Sequence, residues 1–172
     1  MSRSASLVFA AALLAGTLPA AAQVRVTFVE SAPKDRFVLV NEGACALDGL
    51  TAEIDLSTAA GGLIFDVTAE GAGVEVFQPL EMEDGDVSPM AEVRDGDSVL
   101  RLSLGPMAPG ARASVTIDVD DTQRSGPLGR IRVAGAEIEG GRVVLTSDAG
   151  LSVEAAFDAK AQAAVPVSAC AA

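Results

Sequence analysis

The strongest constraint in this 172-residue sequence is a two-residue alternation of apolar and polar side chains. In LTAEIDLS (50–57), Leu50, Ala52, Ile54 and Leu56 fall on one side, and Thr51, Glu53 and Asp55 on the other. Only an extended chain, whose side chains point alternately to opposite faces, sorts these residues this way. The pattern recurs in VRVTFV (24–29), RFVLVN (36–41), GLIFDVT (62–68), GVEVFQP (73–79), SVLRLSL (98–104) and ASVTIDV (113–119). GRIRVAG (129–135), AEIEGGRVVLT (136–146) and LSVEAAF (151–157) complete it, with Gly, Pro and Asp between the runs. Beyond the first 22 residues no stretch carries a helical repeat of useful length.

The alternation predicts an all-β domain of about ten short antiparallel strands, packed as a β-sandwich, with a barrel as the second arrangement. Asp95-Gly96 and Gly140-Gly141 read as tight hairpin turns and Pro109-Gly110 as a looser one.

The opening MSRSASLVFAAALLAGTLPAAAQ has a different character. Arg3 precedes an uncharged apolar run from Leu7 to Leu18, Pro19 breaks it, and Ala20-Ala21-Ala22 offers small residues to a signal peptidase. This predicts a secretory signal over 1–22, cleaved after Ala22, and places the product in the periplasm or outside the cell. The run is shorter than the roughly 20 apolar residues that span a membrane, so no membrane insertion is expected after cleavage. The sandwich is then expected over 23–158, followed by an Ala-rich tail over 159–172 that runs as surface coil.

Composition narrows the partners. The chain has 24 acidic and 12 basic residues, a net charge of −12, and no His, Trp or Tyr. Such a surface repels nucleic acid and anionic membranes and favours cations and an unidentified protein or cell-surface partner. The core must be built mainly from Val, Leu, Ile and Ala, because the aromatics are six Phe.

The two cysteines, Cys45 and Cys170, both lie in the exported part. An even pair in an oxidising compartment predicts one disulfide, tying the tail to the early part of the domain. The alternative is that Cys170, close to the last residue, is free or pairs between molecules.

The most acidic strand end is TIDVDDT (116–122). Alternation puts Asp118 and Asp120 on one face, with Asp121 opening the following loop. Hard cations such as Ca²⁺ take six to eight oxygen ligands, so Asp118, Asp120 and Asp121 form a candidate Ca²⁺ site. Glu30, Asp35 and Asp66 are candidates for further ligands. The spacing does not fit the helix–loop–helix calcium motif, since Gln123 and Gly129 stand where that motif needs Gly and Glu. The competing reading is a solvated strand face carrying carboxylates. EMEDGDVSP (81–89) and RDGD (94–97) read first as acidic turns.

Enzyme motifs fare poorly. Without His there is no Ser-His-Asp or Cys-His arrangement and no His-based zinc site. Ser31-Ala32-Pro33-Lys34 matches a bare S-x-x-K, but its companion motifs are missing. Glu53 with Asp55, and Glu137 with Glu139, imitate glycosidase pairs, yet alternation already explains them as outward polar positions.

FVESAPKDRFVLVNEGACAL (28–47), AGVEVFQP (72–79), TIDVDD (116–121) and VAGAEIEG (133–140) together resemble a group of small exported bacterial proteins. These are labelled aggregation factor core proteins, after a calcium-dependent adhesion proteoglycan. The resemblance covers about Val24 to Phe157 and implies a β-sandwich, calcium and cell–cell adhesion. The expectation is therefore an exported, non-enzymatic, calcium-stabilised binding or adhesion module. The alternatives are a metal-free accessory domain and a carboxylate-based secreted hydrolase.

Overall fold

The computed structural model describes residues 23–167, apart from 32–33, 72, 74–75, 124–127 and 130–131. The predicted signal segment and Cys170 lie outside the described residues. The strands are β1 (Gln23–Val29), β2 (Arg36–Asn41), β3 (Leu50–Asp55), β4 (Leu63–Asp66), β5 (Glu81–Asp84) and β6 (Val87–Pro89). They continue as β7 (Val99–Leu104), β8 (Arg112–Thr116) and β9 (Asp118–Asp121). A one-turn helix α1 (Gly135–Ile138) precedes β10 (Arg142–Ser147), β11 (Ser152–Ala156) and β12 (Gln162–Pro166).

These strands make a β-sandwich. One five-stranded sheet runs β12-β1-β2-β8-β5, the other β11-β10-β3-β7-β6, and β4 pairs with β9 as a two-stranded ribbon. Alternation builds the core: Val24, Val26 and Phe28 of β1 and Phe37 and Leu39 of β2 are buried, as are Ile54 of β3, Leu100 and Leu102 of β7 and Leu145 of β10. Phe37 sits between two other rings, with centroids 5.2 Å from Phe28 and 6.3 Å from Phe157. Truncating such a buried ring to Ala costs about 3–5 kcal/mol.

Several expectations need correction. The Ala-rich tail is not coil throughout: Gln162–Pro166 forms β12, pairs with β1 from Gln23↔Pro166 to Thr27↔Gln162, and belongs to the sandwich. EMEDGDVSP is not a simple turn but two short strands, β5 and β6, in different sheets, joined by a tight connection at Gly85 with φ +76°. ASVTIDV is not one strand. β8 leaves its sheet after Thr116, and β9 then pairs with β4. Residues 76–79 of the expected strand 73–79 are irregular.

The expected run AEIEGGRVVLT starts as α1, where the Ala134 N–H donates to Glu137 Oε2 at 2.6 Å. Gly140-Gly141 is the exit of that helix rather than a hairpin turn. Pro109-Gly110 carries the chain from β7 in one sheet to β8 in the other, and Asp95-Gly96 sits within the longer connection between β6 and β7. Among the described residues no helix is long and apolar enough to cross a membrane.

The sheet edges away from β11 and β12 are blunted. β5 has a register shift between Met82 and Asp84, and β6 ends in Pro89. Both devices hinder pairing with another chain's strand.

Candidate functional site

The ribbon of β4 and β9 gathers the acids. Its register sets Asp66 directly opposite Asp118 and Ile64 opposite Asp120. Directly opposed residues share a face, as do positions two apart on one strand. Asp66, Asp118 and Asp120 therefore lie on one face, as the sequence predicts for the latter two. Asp121 does not join them. The strand continues through it, so it faces the other way, opposite Leu63 and on the side of Val119 and Phe65.

The wet-face alternative fails for this cluster. Asp118 and Asp120 are fully buried, and Asp66 is 1% exposed. The segment after β4 supplies the cover. Gln78 closes the end of the ribbon: its N–H donates to the Asp66 carbonyl at 3.2 Å, and its carbonyl accepts from the Asp118 N–H at 3.1 Å. Gly73 lies so close that an added Cβ would fall on the Asp66 carboxyl, and one on Gly71 would fall on Asp95. Glycine is required there by the close approach of the chain to the acids.

Asp35 and Asp95 flank the cluster in structural roles. Asp35 is fully buried; its Oδ1 accepts from the Ser31 N–H at 2.8 Å and its Oδ2 from the Val119 N–H at 3.1 Å. It thus ties the turn before β2 to β9. Asp95 Oδ1 accepts from Val67 N–H at 2.8 Å and Thr68 N–H at 3.2 Å, beside Asp66. Sequence reasoning placed Asp95 only in a turn; nothing in its local pattern points to Asp66. Glu30 is held by Arg132 through contacts of 2.7 and 2.9 Å, at the margin of the cluster beside Asp35.

Electrostatics follow from burial. Asp118 is pushed up to about 8, first by loss of solvent and then by the charges of Asp120, Asp35 and Asp66. Asp66 rises to about 7 through burial and the neighbouring Asp95 and Asp120. Asp35 also rises to about 7, with burial outweighing its two backbone hydrogen bonds. Among the described residues no hydrogen-bond donor satisfies either carboxyl oxygen of Asp66 or Asp118, nor the buried Thr116 hydroxyl. A hydrogen bond between Asp66 and Asp95 or Asp120 requires one acid of the pair to hold a proton.

Buried charge is tolerated when it is paired, protonated or bound to a metal. An all-oxygen donor set of this kind suits a hard cation in its chemistry. Among the described residues, however, no three acidic, Cys or His side chains stand close enough together to hold a metal ion without moving.

The fold and this ribbon define a β-sandwich with a buried carboxylate cluster at the junction of β8 and β9. No family model and no curated protein matches the chain.

Proposed function

We propose that this chain is an exported, non-enzymatic binding module of the adhesion type, stabilised by calcium at the β4–β9 ribbon. Asp66, Asp118 and Asp120 are the ligands in this reading, with Asp35 and Asp95 holding the surrounding backbone. Asp121, which faces the other way, drops out of the set. The carrying observation is the pair Asp66 and Asp118, directly opposed and buried. Like charges directly opposed across a strand pair are destabilising unless something neutralises them. Calcium bound there would supply that neutralisation and draw the carboxylates together.

The non-enzymatic reading is supported by the same burial, since these carboxylates have no surface from which to meet a substrate. Adhesion is supported by the resemblance of TIDVDD and its companion segments to the aggregation factor core group. Export is supported by the signal-like residues 1–22, and with export comes a Cys45–Cys170 disulfide. Closing a loop of that length stabilises by about 4–5 kcal/mol in the chain-entropy model. A second reading, a metal-free accessory domain whose acids keep protons, is favoured by the lack of a preformed three-ligand cage among the described residues.

Thermal unfolding of the oxidised protein with millimolar Ca²⁺ and with chelator separates the two. Ligand at 100 times its dissociation constant adds about 2.7 kcal/mol. For about 150 residues that raises Tm by several degrees. An unmoved transition would leave the metal-free reading standing.

A further inference from the structure

We propose that the groove between the exit of β4 and the β5–β6 connection is a docking surface for an apolar, Lys- or Arg-bearing segment of a partner protein. It deepens the binding-module reading and rests on it. The groove encloses about 340 Å³ and is lined by Val67, Leu80, Met82, Pro89 and Val93, with Glu92 among them.

Its chemistry comes from an open corner of the sandwich. Met82 stands in register with Val115, a fully buried core residue, yet Met82 is 42% exposed. Here β5 is the last strand of one sheet and β6 the last of the other, so the interlayer space reaches solvent. Met90, between the lining residues Pro89 and Ala91, is 55% exposed. Flexible Met side chains are suited to moulding around an incoming apolar group. The β5 bulge and Pro89 oppose strand addition at these edges, which leaves side-chain insertion as the mode of docking.

Charge decides the occupant. Between Glu81 and Asp97 the chain has seven carboxylates and one base, Arg94. Lys34, Arg36 and Arg112 engage Glu81, Glu83 and Asp84, and the segment still keeps Asp86, Glu92, Asp95 and Asp97 against Arg94, with Glu92 on the groove itself. A second copy of a chain with net charge −12, or an anionic lipid surface, would be repelled. An apolar segment with basic side chains fills the groove and pairs with Glu92 on its lining.

The test uses the full oxidised protein with Ca²⁺ at physiological ionic strength. The probes are a fluorescent peptide alternating Leu with Lys and its counterpart with Ser in place of Leu. The Leu peptide is expected to bind about tenfold more tightly, and the double variant Met82→Ser, Met90→Ser to lose most of that preference. Unchanged Tm and an unchanged Ca²⁺ response in the variant locate the loss in the groove. Equal binding of the two peptides, or a preference that survives in the variant, overturns the proposal. So does a dimer that forms with rising concentration and is lost in the variant, since the occupant would then be a second copy. A Ca²⁺-insensitive Tm with the Leu preference intact would count against the calcium reading alone.

Discussion

Two sets of carboxylates lie beside the β8–β9 segment, and their surroundings differ completely. On β5, Glu81, Glu83 and Asp84 are exposed, each with a basic partner: Lys34 at 3.0 Å, Arg36, and Arg112 at 3.2 Å. On the β4–β9 ribbon, Asp66, Asp118 and Asp120 are buried and face one another. In the first set Glu81 is held below the usual carboxylate range by Lys34, and Glu83 by Arg36. In the second, Asp66 and Asp118 are pushed well above it. The same functional group shifts in opposite directions because Glu81 and Glu83 keep water and gain cations, while Asp66 and Asp118 lose water and face other acids.

The largest expected effect is on the pH dependence of stability in chelator. Asp35, Asp66 and Asp118 hold protons up to about 7–8 in the folded chain. In the unfolded chain they release them near 4. Between those values the folded state binds more protons, so stability is greatest at the acidic end and falls as pH rises. Tm in chelator should drop by on the order of 10 °C from pH 5 to pH 8, and Ca²⁺ should remove most of that drop. A flat profile in chelator would erase the contrast between the two sets.

A smaller effect is expected from Asp118→Asn. At pH 8 in chelator it removes one of two opposed charges and gives Asp66 a donor, so unfolding should become harder by about 1–3 kcal/mol. The Ca²⁺ response should vanish with it. Destabilisation in chelator would mean that Asp118 is not a source of repulsion. Smallest of all is Glu83→Gln on the exposed ladder, where no resolvable change in Tm is expected with or without Ca²⁺. A loss there comparable to that at Asp118 would abolish the distinction.

The sandwich was legible wherever a strand has one apolar face, as in LTAEIDLS and RFVLVN. It was illegible where that face is small or missing. β12 (QAAVP) buries Ala163 and Val165, but its alanines conceal the alternation, and β5 (EMED) is exposed along its whole length. α1 depends on Glu137 reaching back to the Ala134 N–H, a local capping signal too short to form a repeat.

For the site, alternation correctly put Asp118 and Asp120 on one face. It could not say which face is dry, because the cover comes from Gln78 and the close glycines of another segment. Asp66 came within reach as a further candidate, but its place opposite Asp118 depends on a pairing between distant stretches of chain. Asp121 was misread because β9 runs one residue further than the apparent loop.

The pairing of β1 with β12 has a consequence for how the molecule comes into being. A chain delivered from its N-terminal end presents β1 early, and β2 can pair with it at once. The other edge of β1 stays bare until Gln162–Pro166 arrives, after every other strand. Contacts between such distant segments make assembly slow, and an unpaired edge is an invitation to the wrong neighbour. Completion of the first sheet is thus a closing act, performed only when nearly the whole polypeptide is free, and any truncation before Gln162 would leave β1 without its outer partner.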